Sequence, residues 1–239
     1  MIHYPDIINM VIKKDSKYLE IGAADGASMN LIRCNSKVGI DACYSESRNK
    51  NLEIYQMTSS DFFKVYSGDK FDVIFIDGSH NYVDVYEDIK KSIDLIGETG
   101  TILLHDSFPK NEIECRRESF TFLGIDTDKY KPIELDILRD KYLVPGFWLG
   151  EVWKAVFDVY YNYPNIAIYT LGKEDLDKKY SHDSEFMSGV TILKKTKTKR
   201  DIIIDKENYN FPFYEKNREI VMNVISFEEL KYLVKTGVI

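Results

Sequence analysis

The segment from Tyr18 to Ser28 constrains the fold more than any other part of the chain. Its sequence is YLEIGAADGAS: a short apolar run ends at Gly22, Gly26 follows four residues later, and a helical pattern begins directly afterwards. A loop that joins a strand to a helix beside a ligand needs backbone angles that a β-carbon disfavours, and it must let the ligand approach the backbone. The pattern predicts a buried strand that turns sharply into a helix. Glu20 would then place a carboxylate beside the same pocket.

Further strand patterns alternate with helical patterns along the next 80 residues. The most apolar of them, residues 71–76, is typical of a central parallel strand that is covered on both faces. A helical stripe with Asn81 as its N-cap follows it. The alternation predicts an α/β fold, a Rossmann-like doubly wound sheet with helices on both faces. The other predicted strands of this part are residues 18–21, 37–41, 52–57 and 100–104.

Polar residues follow several of these strands at the point where each strand ends. They are Asp41, Asp77, His80, His105 and Asp106. In doubly wound sheets, ligands bind beyond the carboxyl ends of the strands. Asp41 also follows the glycine turn at about the interval at which a nucleotide-binding unit presents an acid to ribose hydroxyls. The sequence therefore predicts a ligand site at this edge of the sheet.

The second half of the chain is less regular. Residues 107–147 are charged and weakly periodic, which predicts an insertion or lid over the active edge. A helix is expected from residue 151, and residues 165–171 and 189–193 predict two more strands that form an antiparallel pair. We therefore expect a seven-stranded, mostly parallel sheet within a domain of residues 1–195. Residues 196–239 would form a C-terminal extension that ends in a helix.

Composition limits the classes of function. The net charge is −7, from 32 Lys plus Arg against 39 Asp plus Glu, which is unfavourable for general nucleic-acid binding. Three cysteines without CxxC spacing are typical of reduced thiols in a cytoplasmic protein. No apolar run approaches the roughly 20 residues of a membrane span, and the N-terminus lacks a signal-peptide pattern. We expect a cytoplasmic protein with a small-molecule substrate.

Together, the glycine turn, the acid after the second strand and the antiparallel last pair resemble the class I S-adenosylmethionine-dependent methyltransferases. The resemblance covers roughly residues 15–195. The motifs FIDGSHNY at 75–82 and GTILLHD at 100–106 resemble the branch of macrocin O-methyltransferases and bacterial sugar methyltransferases. The helix start GEVWK at 150–154 is similar to bacterial relatives of that branch.

This resemblance implies S-adenosylmethionine as cofactor and S-adenosylhomocysteine as product. It places Glu20 beside the methionine part, Asp41 on the ribose hydroxyls and Asp61 near the adenine amino group, whereas Asp77 would face the reacting centre. The implied cofactor-binding residues are Glu20, Gly22, Ala23, Asp25, Gly26, Asp41, Ser60, Asp61, Asp77 and Gly78.

A nicotinamide cofactor is the rival interpretation of the same turn. Its G-x-G-x-x-G motif needs a glycine two residues after Gly22, and that position is Ala24. The diphosphate would then lose its close approach to the backbone. The pattern favours the methyltransferase.

A hydroxyl acceptor is a weak nucleophile, so a base or a metal ion is expected. His80 is the first candidate base because an imidazole titrates near neutral pH; its alternative role is to cap the next helix. His105 is the second candidate, with a buried structural role as its alternative. Asp77 and Asp106 would bind a Mg²⁺ ion through oxygen ligands. Relatives in the macrocin branch carry an Asp-Asp pair where this chain has His105 and Asp106, so this chain departs from the branch pattern at the metal site.

The expected acceptor is a hydroxyl of a small molecule: a sugar, a nucleotide-sugar or a surface-glycan precursor such as one for capsule polysaccharide. The basic run from Lys194 to Arg200 is either a solvated strand end or, if it borders the cleft, a sign of a phosphorylated or nucleotide-linked acceptor. Aromatic side chains would stack on the acceptor or pack the insertion onto the sheet. Alternatives are N-methylation of an amino sugar and a non-catalytic cofactor-binding partner protein. A homodimer is expected. The aromatic residues in question are Tyr142, Phe147, Trp148 and Trp153.

Overall fold

A computed structural model describes residues 3–43, 52–112, 114–115, 149–172 and 189–239. The described strands form one sheet in the order β3-β2-β1-β4-β5-β7-β6-β8. They are β1 (Lys17–Ile21), β2 (Ser36–Ile40), β3 (Glu53–Tyr55), β4 (Phe71–Ile76), β5 (Ile96–Leu104), β6 (Ile166–Leu171), β7 (Val190–Lys195) and β8 (Val224–Ile225). The described helices are α1 (Tyr4–Val11), α2 (Ala27–Leu31), α3 (Ser59–Val65), α4 (Tyr82–Leu95), α5 (Val152–Asn162), α6 (Phe211–Met222) and α7 (Phe227–Lys235).

Both faces of the sheet are covered by apolar helix surfaces. Helices α3, α4, α5 and α6 bury their apolar side chains on one face, where Phe62, Ile89 and Phe157 are inaccessible to solvent or nearly so. Helices α1, α2 and α7 cover the other face with residues such as Ile8 and Leu230. This two-sided burial explains why β4 is almost continuously apolar, and it confirms the doubly wound fold.

The parallel part of the sheet agrees closely with the sequence prediction. Strand β1 pairs with β2 and with β4, and β4 pairs with β5, all in parallel. Strand β7 is antiparallel to both β5 and β6, which confirms the antiparallel pair. Strand β5 begins earlier than the predicted residues 100–104, because α4 ends at Leu95 and Ile96 already pairs with Phe71.

The predicted strand number is corrected from seven to eight described strands. Residues Val224 and Ile225, within the predicted C-terminal extension, form β8 and pair in parallel with β6. Asn223 adopts a left-handed backbone conformation before it, and its side chain donates to the Ile168 carbonyl at 3.0 Å. A strand of two residues has no alternation that a sequence pattern can reveal.

A buried carboxylate joins the extension to the rest of the fold. Asp158 on α5 accepts hydrogen bonds from Tyr82 on α4, from Lys206 at 2.7 Å and from Tyr209 at 2.5 Å. The division at residue 195 stays a prediction. Most of the predicted insertion, residues 113 and 116–147, lies outside the described residues. Within the described part of the chain, no helix is long and apolar enough to cross a bilayer.

Candidate active site

The turn after β1 packs directly against the end of β4. Gly22, Ala24 and Gly26 all have positive φ, at 87°, 46° and 76°. A β-carbon on Gly22 would lie 2.1 Å from the carbonyl oxygen of Asp77, so only glycine fits there without a shift of backbone. The backbone N–H of Gly22 donates to the Ile40 carbonyl at 2.8 Å, which ties the turn to β2.

Asp41, at the end of β2, completes this turn. One carboxylate oxygen accepts the Ala24 N–H at 2.9 Å and the other accepts the Cys43 N–H at 2.7 Å. A carboxylate thus bridges two loops at the carboxyl edge of the sheet.

A cavity of about 890 Å³ opens at this edge, between the ends of β1, β2 and β4 and the first turns of α3 and α4. Its walls combine carboxylate, hydroxyl and backbone groups with apolar side chains such as Met57 and Phe63. Of the predicted cofactor-binding residues, those lining it are Gly22, Asp41, Ser60, Asp77 and Gly78; Glu20, Ala23, Asp25, Gly26 and Asp61 are not among its lining residues.

Glu20 lies behind the turn rather than in this cavity. It is 1% exposed and accepts hydrogen bonds from Tyr18 at 2.7 Å and from the Ser28 hydroxyl. Burial raises the pKa of Glu20 to about 7, although both hydrogen bonds act in the opposite direction. The carboxylate therefore supports the start of α2 through Ser28.

Asp61 does not line the cavity, although it was predicted to lie near the adenine, whereas the unpredicted Asp88 does. Asp61 is exposed, and its carboxylate accepts from the Thr58 hydroxyl and from Lys64, both at 2.8 Å. Asp88 on α4 does line the cavity and is 5% exposed. Burial raises the pKa of Asp88 to about 6, against a hydrogen bond from Ser59. Sequence reasoning missed Asp88 because it is a polar residue within an otherwise apolar helical stripe.

The three predicted catalytic residues and the predicted metal ligand Asp106 meet where β4 and β5 end. Nε2 of His80 lies 3.0 Å from Oδ2 of Asp106. Nδ1 of His105 lies 3.2 Å from the same Asp106 oxygen and 3.3 Å from Oδ1 of Asp77. We name Asp77, His80, His105 and Asp106 the carboxylate–imidazole cluster. Asp106 has a φ of 54°, a left-handed conformation that aspartate tolerates better than most residues.

The two imidazoles of the cluster differ in environment. Burial lowers the pKa of His105, but the carboxylates of Asp106 and Asp77 outweigh it and raise that pKa to about 10. Its Nδ1 contacts lack hydrogen-bond alignment, so we treat them as ion pairs. A histidine that keeps its proton at neutral pH is a cation rather than a base.

The loop that carries His80 is held by the start of α5. The backbone N–H of Glu151 donates to the His80 carbonyl at 2.8 Å, and a β-carbon on Gly150 would lie 2.6 Å from that carbonyl oxygen. The side chain that caps α4 is that of Asn81, which accepts the Val83 N–H at 3.0 Å. The helix-capping role considered for His80 therefore belongs to Asn81.

Residues 19–107, which span the turn, the cavity and the cluster, match a family model described as a methyltransferase domain. Over these residues the chain is similar to methyltransferase domains. This agrees at family level with the resemblance to the S-adenosylmethionine-dependent enzymes, whereas the macrocin and sugar branch stays a prediction.

Two solved structures and one curated protein are similar to this chain. An O-methyltransferase from Bacillus cereus in complex with S-adenosylhomocysteine aligns with a TM-score of 0.50 and 15% identity, over 80% of this chain and 79% of that one, which shows a shared fold. A putative O-methyltransferase from Klebsiella pneumoniae aligns with a TM-score of 0.47 and 11% identity, over 76% of this chain and 73% of that one. An uncharacterised protein of Acanthamoeba polyphaga mimivirus is 29% identical over 123 residues, which are 42% of this chain and only 56% of that relative.

The carboxyl edge of the sheet also brings together a set of metal-ligating atoms. One ligand atom from each of Asp77, His80 and Asp106 lies within 4.8 Å of the others. Two carboxylates and one imidazole suit a divalent cation. Two of the three are among the acids predicted for Mg²⁺, and His80 is the addition.

The basic run lies on the opposite edge of the sheet from the cluster. Lys194 donates to the Thr101 hydroxyl at 3.1 Å, and Lys195 donates to the Ile96 carbonyl at 3.1 Å, both towards the start of β5. Arg200 donates to the carbonyls of Tyr160 and Tyr163 at 3.1 Å, where α5 ends. The conjecture that this run borders the cleft is therefore wrong.

The aromatic residues near the insertion are only partly described. Trp153 is buried in the core, with its ring centroid 4.8 Å from that of Tyr214 on α6. Tyr142, Phe147 and Trp148 lie outside the described residues.

Proposed function

We propose that this chain transfers a methyl group from S-adenosylmethionine to a hydroxyl oxygen of a small molecule, releasing S-adenosylhomocysteine. The observation that carries the proposal is the carboxylate–imidazole cluster beside the cavity, with Asp77 belonging to both. A donor pocket and a set of proton-handling groups thus share one wall.

The cavity suits the donor in size and chemistry. Asp41 lies where the ribose hydroxyls are expected, Ser60 and Phe63 offer a polar and an apolar contact for the adenine, and Gly78 leaves backbone accessible. Glu20 supports the methionine end through Ser28. We retain Ala23, Asp25 and Gly26 as residues that shape this turn, and Asp61 as a contact at the adenine end.

When bound, the donor supplies an electrophilic methyl group on a sulfonium sulfur. His80 takes the proton of the acceptor hydroxyl as the oxygen attacks, and Asp106, 3.0 Å from its Nε2, orients the imidazole and stabilises its charge. His105, already cationic, balances the charges of Asp77 and Asp106 and keeps both in place. Holding the acceptor in line supplies much of the rate, on the order of 7–11 kcal/mol in favourable cases.

Binding of a divalent cation is an alternative role for three residues of the carboxylate–imidazole cluster. Asp77, His80 and Asp106 would hold it, and a divalent cation there would act as a Lewis acid on the acceptor oxygen. Turnover that survives EDTA would assign proton removal to His80 alone. Turnover that is lost in EDTA and restored by Mg²⁺ or Mn²⁺ would assign the three residues to the metal.

For the acceptor we propose a sugar, nucleotide-sugar or glycan precursor, and this finer proposal rests on the resemblance to the sugar branch. It lacks the support of a basic cleft, because the lysine run lies at the far edge. Amino sugars should be screened beside neutral sugars to decide between O- and N-methylation. Homodimerisation and a cytoplasmic location stay predictions.

The test is a methyl-transfer assay with radiolabelled donor and a panel of these acceptors. Turnover by the wild type and its loss in His80→Ala, with donor affinity retained, would support an enzyme with His80 at its reacting centre. Donor binding without turnover on any acceptor, in the presence of Mg²⁺ or Mn²⁺, would favour a cofactor-binding partner protein instead.

A further inference from the structure

One charged face of helix α4 borders the cavity. Its residues Asp84, Glu87, Asp88 and Lys91 are spaced so that they share one side of the helix, and all four line the cavity. Asp88 is 5% exposed, whereas Asp84 and Glu87 are exposed. Among the described carboxylates of the cavity wall, Asp88 is therefore the one that water hardly reaches.

The two exposed carboxylates of this face are paired with their neighbours. Asp84 accepts a hydrogen bond from the Ser79 hydroxyl at 2.9 Å, and Glu87 accepts one from Lys90 at 2.6 Å. Water also reaches both groups, so a ligand that replaced these partners would gain little free energy. Neither group is a selective acceptor.

Asp88 differs because its carboxylate keeps acceptor capacity inside the wall. It accepts a hydrogen bond from Ser59, at the start of α3. Burial raises the pKa of Asp88 to about 6, so at pH 7.5 the group is mainly ionised and can only accept. A carboxylate has about four acceptor positions on its two oxygens, and one hydroxyl leaves room for a donor on a ligand.

The ligand group that fits this acceptor is the amino group of an aminopurine. Such a group presents N–H donors at the edge of a flat apolar ring, and Met57 and Phe63 offer apolar contacts in the same cavity. A hydrogen bond to a carboxylate is stronger than one between neutral groups. A 6-oxo purine would instead place a carbonyl oxygen against the carboxylate and leave a buried acceptor unpaired.

Asp61, the acid that the family resemblance places near the adenine amino group, is in a different environment. Its side chain is 58% exposed, and Thr58 and Lys64 both donate to it at 2.8 Å. It is not among the residues that line the cavity, whereas Asp88 is. The structure thus offers an acceptor from the helix after β4 in place of one from the helix after β3.

We propose that Asp88 selects the adenine of the methyl donor, with its carboxylate accepting a hydrogen bond from the 6-amino group. The inference rests on the proposed function, because it assumes that S-adenosylmethionine or its product occupies the cavity. It assigns specificity for the base to α4, outside the glycine turn and the strand ends that carry the sequence motifs.

The experiment compares S-adenosylhomocysteine with S-inosylhomocysteine, which differs only at the purine, where a 6-oxo group replaces the 6-amino group. Each ligand is titrated calorimetrically at pH 7.5 into the wild type, Asp88→Asn, Asp61→Asn and Asp94→Asn. The wild type should bind S-adenosylhomocysteine about tenfold or more tightly than the analogue. Asp88→Asn should lose most of this preference, because an amide can present either a donor or an acceptor to the purine.

Asp94→Asn is the matched control, since it makes the same exchange at an exposed position of α4 that does not line the cavity. It should keep the preference. Equal binding of the two ligands by the wild type would overturn the inference, and that comparison does not depend on how any variant folds. A preference that Asp88→Asn keeps, or that Asp61→Asn abolishes instead, would overturn it as well. If the wild type binds neither ligand, the proposed function itself fails.

Discussion

The two edges of the sheet both carry charged residues, but they use them in opposite ways. At the carboxyl edge, Asp77 and Asp106 contact imidazoles and one of them lines a cavity. At the amino edge, Lys194 and Arg200 donate chiefly to backbone carbonyls at strand and helix ends. Charge at a strand end therefore indicates a functional site only when titratable groups face one another across an accessible space.

The largest effect is expected at the cluster. His80→Ala should lower kcat by about 10²–10⁴-fold, the usual contribution of general acid–base catalysis. Asp77→Asn should also lower kcat, because it removes a carboxylate that contacts His105. Lys194→Met, at the amino edge, should leave kcat within about twofold. Steady-state methyl transfer measures both, and a comparable loss from Lys194→Met would remove the distinction between the edges.

The second effect concerns Asp88, a carboxylate of the cavity wall. Its folded pKa of about 6 exceeds the ordinary value of 3.8, so the folded state binds this proton more tightly than the unfolded state. Its contribution to stability is therefore fully present below about pH 4 and is lost as pH rises through 6, by up to about 3 kcal/mol.

Urea unfolding of the wild type and of Asp88→Asn, followed from pH 4 to pH 7.5, measures that difference. The stability of the wild type should fall relative to Asp88→Asn across this range. Parallel stability curves would show that Asp88 is not a buried, proton-linked group.

A third effect isolates the contact between the glycine turn and β4. Gly22→Ala combines a positive φ with a β-carbon 2.1 Å from the Asp77 carbonyl, whereas Gly237 has a φ of 73° and nothing within 4 Å of that position. Gly237→Ala should cost only backbone strain, about 1 kcal/mol. Gly22→Ala should cost about 1–3 kcal/mol more, because the two backbones must move apart.

Thermal unfolding of Gly22→Ala and Gly237→Ala, with and without S-adenosylmethionine, measures these losses of stability. Gly22→Ala should also lose the stabilisation by the ligand, whereas Gly237→Ala should keep it. Equal losses of stability in the two variants would contradict the close approach of the turn to β4.

The smallest effect on the site is expected from Asp41→Ala. This change should weaken binding of S-adenosylmethionine by about 1.5–3 kcal/mol, through the loss of a charge-assisted hydrogen bond. Calorimetry at one temperature suffices, and unchanged affinity would place Asp41 outside the ribose contact.

Much of this arrangement was predictable because its signals are local. The strand, glycine turn and helix around Gly22 follow each other within a few residues, and β4 is apolar because both of its faces are buried. The meeting of Asp77 with Asp106 follows from the parallel pairing of neighbouring strands. The position of the basic run was also implicit, since an antiparallel β7 must end at the amino edge.

The remaining features depend on packing that no short pattern records. Tyr4 is 71 residues from Phe75 in sequence, yet their rings stack, because α1 folds back over the sheet. Strand β8 has two residues and forms only against β6. His80 contacts Asp106, and His105 contacts both Asp77 and Asp106; these contacts become visible only with the side chains in place.

Calorimetric titration of the wild type with S-adenosylmethionine, and separately with NAD, each with Mg²⁺ and with EDTA, tests the central claim most directly. Binding of S-adenosylmethionine alone is the predicted result, and it would establish the carboxyl-edge cavity as a methyl-donor pocket once Asp41→Ala weakens it. Binding of NAD, or of neither ligand, would contradict the assignment of this edge to methyl transfer.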